Sequence, residues 1–228
     1  MPRASRNTAA VPEHGIKEEI LRVATRLFAR RGYNGTSLQA IVDEVGIRKP
    51  SLLYHYASKE ILREEVMKEM LRQWQDRLPS ILAAAARGSD RFDALFDEVT
   101  DYFSEDPNRA RLILREAVDR PIITRDRLAT DFGPWLSLLA NAIEGGRKAG
   151  TVKSGVDPEA WLIEMLILVI GAFATSDLMT HIFPGEYESE GSGRQMREIV
   201  RIARTSLFPD DADSSITESS DAAQEDKK

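Results

Sequence analysis

Apolar residues recur every three or four positions through most of this chain, and in no stretch do they alternate. A period of 3.6 turns one stripe of a helix towards a core, whereas a half-buried strand needs a period of two. Ile20, Val23, Ala24, Leu27 and Phe28 fall at i, i+3, i+4, i+7 and i+8, the stripe of an amphipathic helix. Gly32 stands where a left-handed residue ends such a helix. No hairpin signal joins two strand-like runs, so the sequence predicts an all-α protein.

The next helix is announced by Thr36-Ser-Leu-Gln39, read as a capping box in which the Thr36 hydroxyl and the Gln39 amide satisfy orphan N–H groups. Its stripe is Leu38, Ile41, Val42 and Val45, and Gly46 stops it. Proline is tolerated only in the first turn of a helix, so Pro50 places a third start near Arg48–Lys49. Ser58 reads as a fresh N-cap, which keeps the third helix short. From Lys59 a long helix follows with Leu62, Val66, Met67, Met70, Leu71 and Trp74 inward, bent or ended by Pro79. Breakers then separate helices expected at roughly 90–104, 107–118, 124–149, 157–182 and 193–207.

Two short helices joined by a tight glycine turn and braced by a preceding helix make a helix-turn-helix. On the third helix Leu52 faces inward and Leu53 is partly covered, which leaves Lys49, Pro50, Ser51, Tyr54 and His55 outward. A cation, a hydroxyl, a phenol and an imidazole on one surface suit a groove lined with acceptors and phosphates. A solvated face of a three-helix bundle has the same pattern.

Charge bears on that choice. The chain carries a net −6, yet residues 1–56 hold nine cations against five acids, a surplus of four that leaves −10 on the remainder. A basic head can neutralise phosphates where it touches them while an acidic body keeps the chain soluble. With 228 residues and no cysteine, a sizeable core is possible and disulfide or thiolate chemistry is not. The apolar run Trp161 to Thr175 contains Glu164 and falls short of the ~20 residues a membrane span needs. With no secretory pattern at the N-terminus, a cytoplasmic protein that does not enter the membrane is expected. The organisation expected is a flexible basic arm (1–13), a helix-turn-helix domain (14–58), a helical ligand-binding and dimerisation domain (59–208), and a disordered acidic tail (209–228). The arm, with Arg3 and Arg6, is either a solvated tail or a minor-groove contact.

The stretch TSLQAIVDEVGIRKPSLLYHYASKEIL, Thr36 to Leu62, resembles the signature of the tetracycline-repressor (TetR) family. The matching parts are Thr36, Gly46-Ile47, Tyr54-His55-Tyr56 and Ser58-Lys59-Glu60, with Ala24, Phe28 and Gly32-Tyr33 before them. The resemblance spans roughly residues 16–65 and implies a DNA-binding role for Thr36, Gln39, Arg48, Lys49, Pro50, Ser51, Tyr54, His55 and Lys59. Within that set, Thr36 is expected to hold a phosphate at its helix N-terminus, and Lys49, Pro50 and Ser51 to meet base edges. Tyr54, His55 and Lys59 are expected on backbone phosphates. Arg48 replaces a residue that is more often small and polar, and Leu53 replaces the usual tyrosine.

The resemblance further implies a regulator, expected to be a repressor, that binds a near-palindromic operator in double-stranded DNA as a homodimer. An unidentified small-molecule effector in the body, by shifting the helix at 59–77, is expected to release it. Trp161 to Thr175, apolar nearly all round, needs cover on both faces, and a second copy is the simplest cover. The stripe Met196, Ile199, Val200, Ile202, Ala203 and Leu207 joins it, with Gly171 and Ala172 allowing close approach. Phe96, Tyr102, Phe103, Phe132, Trp135 and Met165 are candidates for the ligand pocket, although aromatic residues at helical spacing are more often core than pocket. Arg115, Glu116 and Asn141 are candidates to orient a polar ligand. No nucleophile–base pair, metal spacing or cofactor motif is present, so no enzyme, cofactor or metal is expected. The alternative reading is a helical protein-interaction module that ignores DNA.

Overall fold

The computed structural model describes residues 13–77, 79, 91–178 and 186–209. It divides into two compact units, Met1–Asp76 and Arg77–Lys228. Residues 1–12 and 210–228, which carry the expected arm and tail, lie outside the described residues.

The first unit holds α1 (Glu13–Arg31), α2 (Leu38–Val45), α3 (Lys49–His55) and α4 (Lys59–Gln75). α1 packs on α2 and on α4, and α2 packs on α3. Its core is the expected stripe: Ile20, Val23, Ala24, Phe28, Ile41, Val42, Leu52, Leu62 and Val66 are at most 1% exposed. Burying a side chain of that kind is worth ~1.5–3 kcal/mol, so this small bundle has a real centre. α1 stops where Gly32 adopts φ 75° and its N–H returns to the Phe28 carbonyl at 3.0 Å. α4 begins at Ser58, whose hydroxyl accepts from the Ile61 N–H at 3.1 Å, and ends before Pro79.

The start of α2 corrects the capping box. The N-cap is Ser37, whose Oγ accepts from the Ala40 N–H at 3.0 Å. The Gln39 amide reaches forward to Asp43 Oδ1 at 2.7 Å. Either Thr36 or Ser37 suits the position chemically, and a tertiary contact of Thr36, described below, decides between them.

The second unit holds α5 (Arg91–Glu105), α6 (Asn108–Asp119), α7 (Pro121–Arg127), α8 (Gly133–Lys148), α9 (Pro158–Ala174) and α10 (Glu186–Leu207). α9 is its hub and packs on α5, α6, α8 and α10. Asp157 opens α9 by accepting from the Glu159 and Ala160 N–H groups, each at 3.1 Å, and Pro158 occupies the first turn. The single helix expected at 124–149 is two helices joined by a π-helical turn, Leu128–Phe132. Pro134 supplies no N–H to the preceding turn, and its ring crowds the carbonyl four residues back. The chain absorbs this by a wider loop in which the Gly133 N–H bonds the Leu128 carbonyl. α9 ends earlier than expected, at Ala174, where the Thr175 hydroxyl bonds the Gly171 carbonyl at 2.7 Å. The expected stretch beyond Leu178 lies outside the described residues. α10 starts earlier than expected and runs through Gly191 and Gly193, where the ~1 kcal/mol that glycine costs a helix does not stop it.

Aromatic side chains knit this unit. Phe92 sits 4.7 Å from Phe96 and 5.3 Å from Phe208, and Phe103 sits 5.7 Å from Phe173. Trp161 Nε1 donates to Ser206 Oγ at 2.9 Å, joining α9 to α10. Tyr102, only 3% exposed, lies beneath the Arg109 guanidinium at 4.4 Å. Burial pushes its phenol up to about 12, against the pull of Arg109 and Arg77. The neutral form is the one the fold favours. Stability from this group is therefore whole below pH 10 and falls as pH rises towards 12, by of order 2–3 kcal/mol. Burial also raises the Tyr56 phenol, so an ultraviolet titration of the five tyrosines is expected to show more than one late ionisation, the Tyr102 component being the one that Tyr102→Phe removes.

Candidate nucleic-acid interface

The turn between α2 and α3 rests on Gly46, at φ 80°, whose N–H and that of Ile47 both bond the Val42 carbonyl, at 2.9 and 3.0 Å. A residue with a Cβ resists that backbone conformation. The chain then enters α3 through Arg48, with Pro50 in the first turn and the Ser51 N–H bonding the Arg48 carbonyl at 2.9 Å.

α3 has one inward anchor and a broad outer surface. Leu52 is completely buried, and Tyr56, the C-cap, is 6% exposed. Arg48, Lys49, Pro50 and Tyr54 are exposed, Tyr54 by 78%, while Ser51 and His55 are half-buried. The Tyr54 and His55 rings meet edge-on at 5.2 Å, which fixes the end of the helix as an aromatic corner. Among the described residues neither Arg48 nor Lys49 has an ion-pair partner. Arg26, by contrast, is tied to Glu44 and Arg22 to Glu19. The cations Arg48 and Lys49 are thus available to an outside anion.

The other expected contacts fall differently. Gln39 is exposed but engaged with Asp43. Thr36 is 1% exposed, and its hydroxyl is in reach of the Gly32 carbonyl at 2.9 Å and the Leu27 carbonyl at 3.1 Å, where it donates. This side chain faces the core, where it holds the end of α1. It does not face a groove, and the phosphate grip expected of it is corrected on that ground. Ser37, exposed at the start of α2, is the hydroxyl that sequence reasoning missed. Lys59 has its Nζ 4.0 Å over the Tyr33 ring, and partial burial together with Arg63 holds its ammonium below the usual lysine range against the pull of Glu60. Among the described residues no three His, Asp or Glu side chains gather to hold a metal ion.

The six body candidates divide by burial. Phe96, Tyr102, Phe103 and Met165 are buried, the first three in the aromatic contacts above. Phe132 and Trp135 are half-buried, at the π-helical turn and in the first turn of α8. Arg115 and Asn141 are exposed and Glu116 is buried.

Comparison with known proteins fits this geometry. Residues 20–66 match the family model described as bacterial regulatory proteins of the tetR family, and residues 88–184 match a tetracyclin repressor-like C-terminal domain. The chain belongs to the TetR family. It is 28% identical to the transcriptional repressor KstR2 of Rhodococcus jostii over 64% of this chain and 72% of that one. It is 36% identical to the transcriptional regulator LmrA of Bacillus subtilis over 39% of this chain and 47% of LmrA, so that match spans less than half the relative's length. Among solved structures, the ketosteroid transcriptional regulator KstR2 of Mycobacterium tuberculosis superposes with a TM-score of 0.62 at 18% identity, over 90% of this chain and all of that one. A transcriptional regulator from Saccharomonospora viridis in complex with choline superposes with a TM-score of 0.64 at 18% identity, over 86% of this chain and all of that one. As a TetR-family protein the chain is a helix-turn-helix transcriptional regulator and not an enzyme. Among its described residues no helix is long and apolar enough to cross a membrane.

The inward Thr36 has a measurable consequence. Thr36→Val removes the single hydroxyl proton that the Gly32 and Leu27 carbonyls share and is expected to destabilise the first unit by ~1–3 kcal/mol. Amide hydrogen exchange across α1 and α2 measures it, with Thr36→Ser staying close to the parent. Unchanged protection in Thr36→Val would return that hydroxyl to the list of free contacts.

Proposed function

We infer that this chain is a repressor that grips a near-palindromic operator as a homodimer, one α3 in each major groove, and lets go when a small molecule occupies its second unit. The observation that carries this reading is the outer face of α3, where Lys49, Pro50 and Tyr54 are exposed around a fully buried Leu52. On this face Lys49 donates to guanine acceptors, the Pro50 ring meets a thymine methyl, and Ser51 bonds a base edge. Arg48, Ser37, Gln39, Tyr54, His55 and Lys59 hold the flanking phosphates and fix the register.

Support for a dimer comes from α9. Met165 and Val169 turn inward, while Ile163, Ile167 and Leu168 are 53%, 63% and 42% exposed, joined by Ile202 on α10 at 38%. Apolar side chains of this size, ranged along one helix, ask for a cover. Gly171 is half-exposed with open space around it, so a second helix can come close there, whereas Ala172 is turned into its own core. Two-fold pairing sets two reading heads about 34–36 Å apart, one turn of duplex.

An effector acts by preferring a head spacing that the operator does not fit, and a coupling of ~1–3 kcal/mol gives a ~5–150-fold change in affinity. Its site is proposed among Phe96, Tyr102, Phe103, Phe132, Trp135 and Met165. Reciprocity requires operator DNA to weaken effector binding by the same factor.

Enrichment of random duplex DNA on the purified protein tests the core of this reading, and a two-fold symmetric consensus is the expected result. Recovery without sequence preference or symmetry would remove it. On the enriched site, Lys49→Ala is expected to cost ~1–3 kcal/mol and to relax preference at one position of each half-site. Ile167→Asp is expected to shift the chain from dimer to monomer in sedimentation and to lower operator affinity, while the isolated heads keep their fold. A dimer unmoved by that aspartate places the interface elsewhere.

A further inference from the structure

Gly32 turns the chain out of α1 so that Tyr33 follows directly, and the Tyr33 ring lies 5.7 Å from Phe28, which is 1% exposed. The ring is therefore braced by the core. Its π-face meets two cations from α4: Lys59 Nζ at 4.0 Å and the Arg63 guanidinium carbon at 4.5 Å. Those two stand at i and i+4, where like charges disfavour each other, and an aromatic face offsets that repulsion by drawing both. Lys59 is also the first residue of α4, next to the Ser58 cap and four residues past His55, the last residue of α3.

A solvated lysine surrenders most of its rotamer freedom when it grips a phosphate. One already stacked on a fixed ring has surrendered it in the free protein. We propose that Tyr33 is a positioning residue of the DNA interface, its braced ring holding the Lys59 ammonium in place for a backbone phosphate. This rests on the DNA-binding reading above, and it assigns a role to a residue between α1 and α2 that the expected contact set did not include. Lys59's lowered proton affinity agrees with it, since partial burial and Arg63 make an approaching anion welcome. Tyr33 itself touches no DNA in this account. It acts through Lys59.

The test uses the full chain and a short random-sequence duplex, because a phosphate contact is blind to sequence. Tyr33→Phe and Tyr33→Leu are measured by fluorescence anisotropy over a range of salt, each in the parent and in a Lys59→Gln background. Tyr33→Phe, which keeps the ring, is expected to match the parent. Tyr33→Leu is expected to weaken binding about threefold to tenfold, as loss of a partly buried cation–π contact does, and to lower the salt slope by up to about one. In the Lys59→Gln background the same change is expected to do nothing more. A merely structural role for the ring predicts an equal loss in both backgrounds, and that result overturns the proposal.

A second measurement needs no DNA. The Lys59 methylene protons are expected to show an upfield ring-current shift in the parent and in Tyr33→Phe, and to lose it in Tyr33→Leu. Absence of that shift in the parent overturns the proposal while leaving DNA binding intact. Failure of the parent to bind any duplex at low salt overturns the interface reading and this role together, and the ring-current shift tells the two failures apart.

Discussion

A helix of seven residues does not hold itself together in water, because nucleation costs more than so few hydrogen bonds return. α3 therefore owes its shape and its direction to what grips it. Leu52 fastens its middle to the core, Tyr56 closes its end, and the left-handed Gly46 sets the angle at which it leaves α2. The side chains proposed to read bases, Lys49, Pro50 and Ser51, stand on this helix around the anchor Leu52. A polar or smaller residue at Leu52 would loosen the reading surface before it altered any contact with DNA.

The polar groups of the first unit follow the same division between holding and meeting. Thr36 spends its hydroxyl inward on the carbonyls that close α1, and Ser37, one position on, caps α2 at the surface. Arg26 is bound to Glu44 across α1 and α2, and the aromatic face of Tyr33 takes Lys59 and Arg63. What remains outward around α3 is a compact basic patch on a chain whose total charge is −6. Net charge is a poor guide to a nucleic-acid binder of this kind, since phosphate contacts depend on local placement and fall off within a Debye length of about 10 Å.

Local rules made the first unit legible. The helical stripes, Gly32, Gly46, Pro50 and Ser58 each act within one turn of where they stand, and each does what its chemistry dictates. Choosing between Thr36 and Ser37 needed a contact to Leu27, nine residues back, which no capping rule contains. The pairing of Tyr33 with Lys59 was hidden for the same reason, since two helices and two turns separate them in sequence. In the second unit one helix is expected over 124–149, and only the backbone shows the break before Pro134 and the extra residue it forces into the turn. Aromatic residues such as Phe96 and Tyr102 could not be sorted from pocket residues by spacing, because core and pocket obey one periodicity.

The packing of the first unit also constrains how the proposed effector could act. Complete burial of Leu52, Leu62, Val66, Ile41 and Phe28 means that melting α3 or prying it from the bundle costs several kcal/mol. A coupling of ~1–3 kcal/mol is too small for that. On the proposed reading, release would leave each reading head folded and change only the spacing or angle at which two of them are presented. A palindromic site is sensitive to that change: a head that meets its half-site out of register loses phosphate and base contacts together, so a modest shift in spacing is enough to lower affinity without unfolding anything.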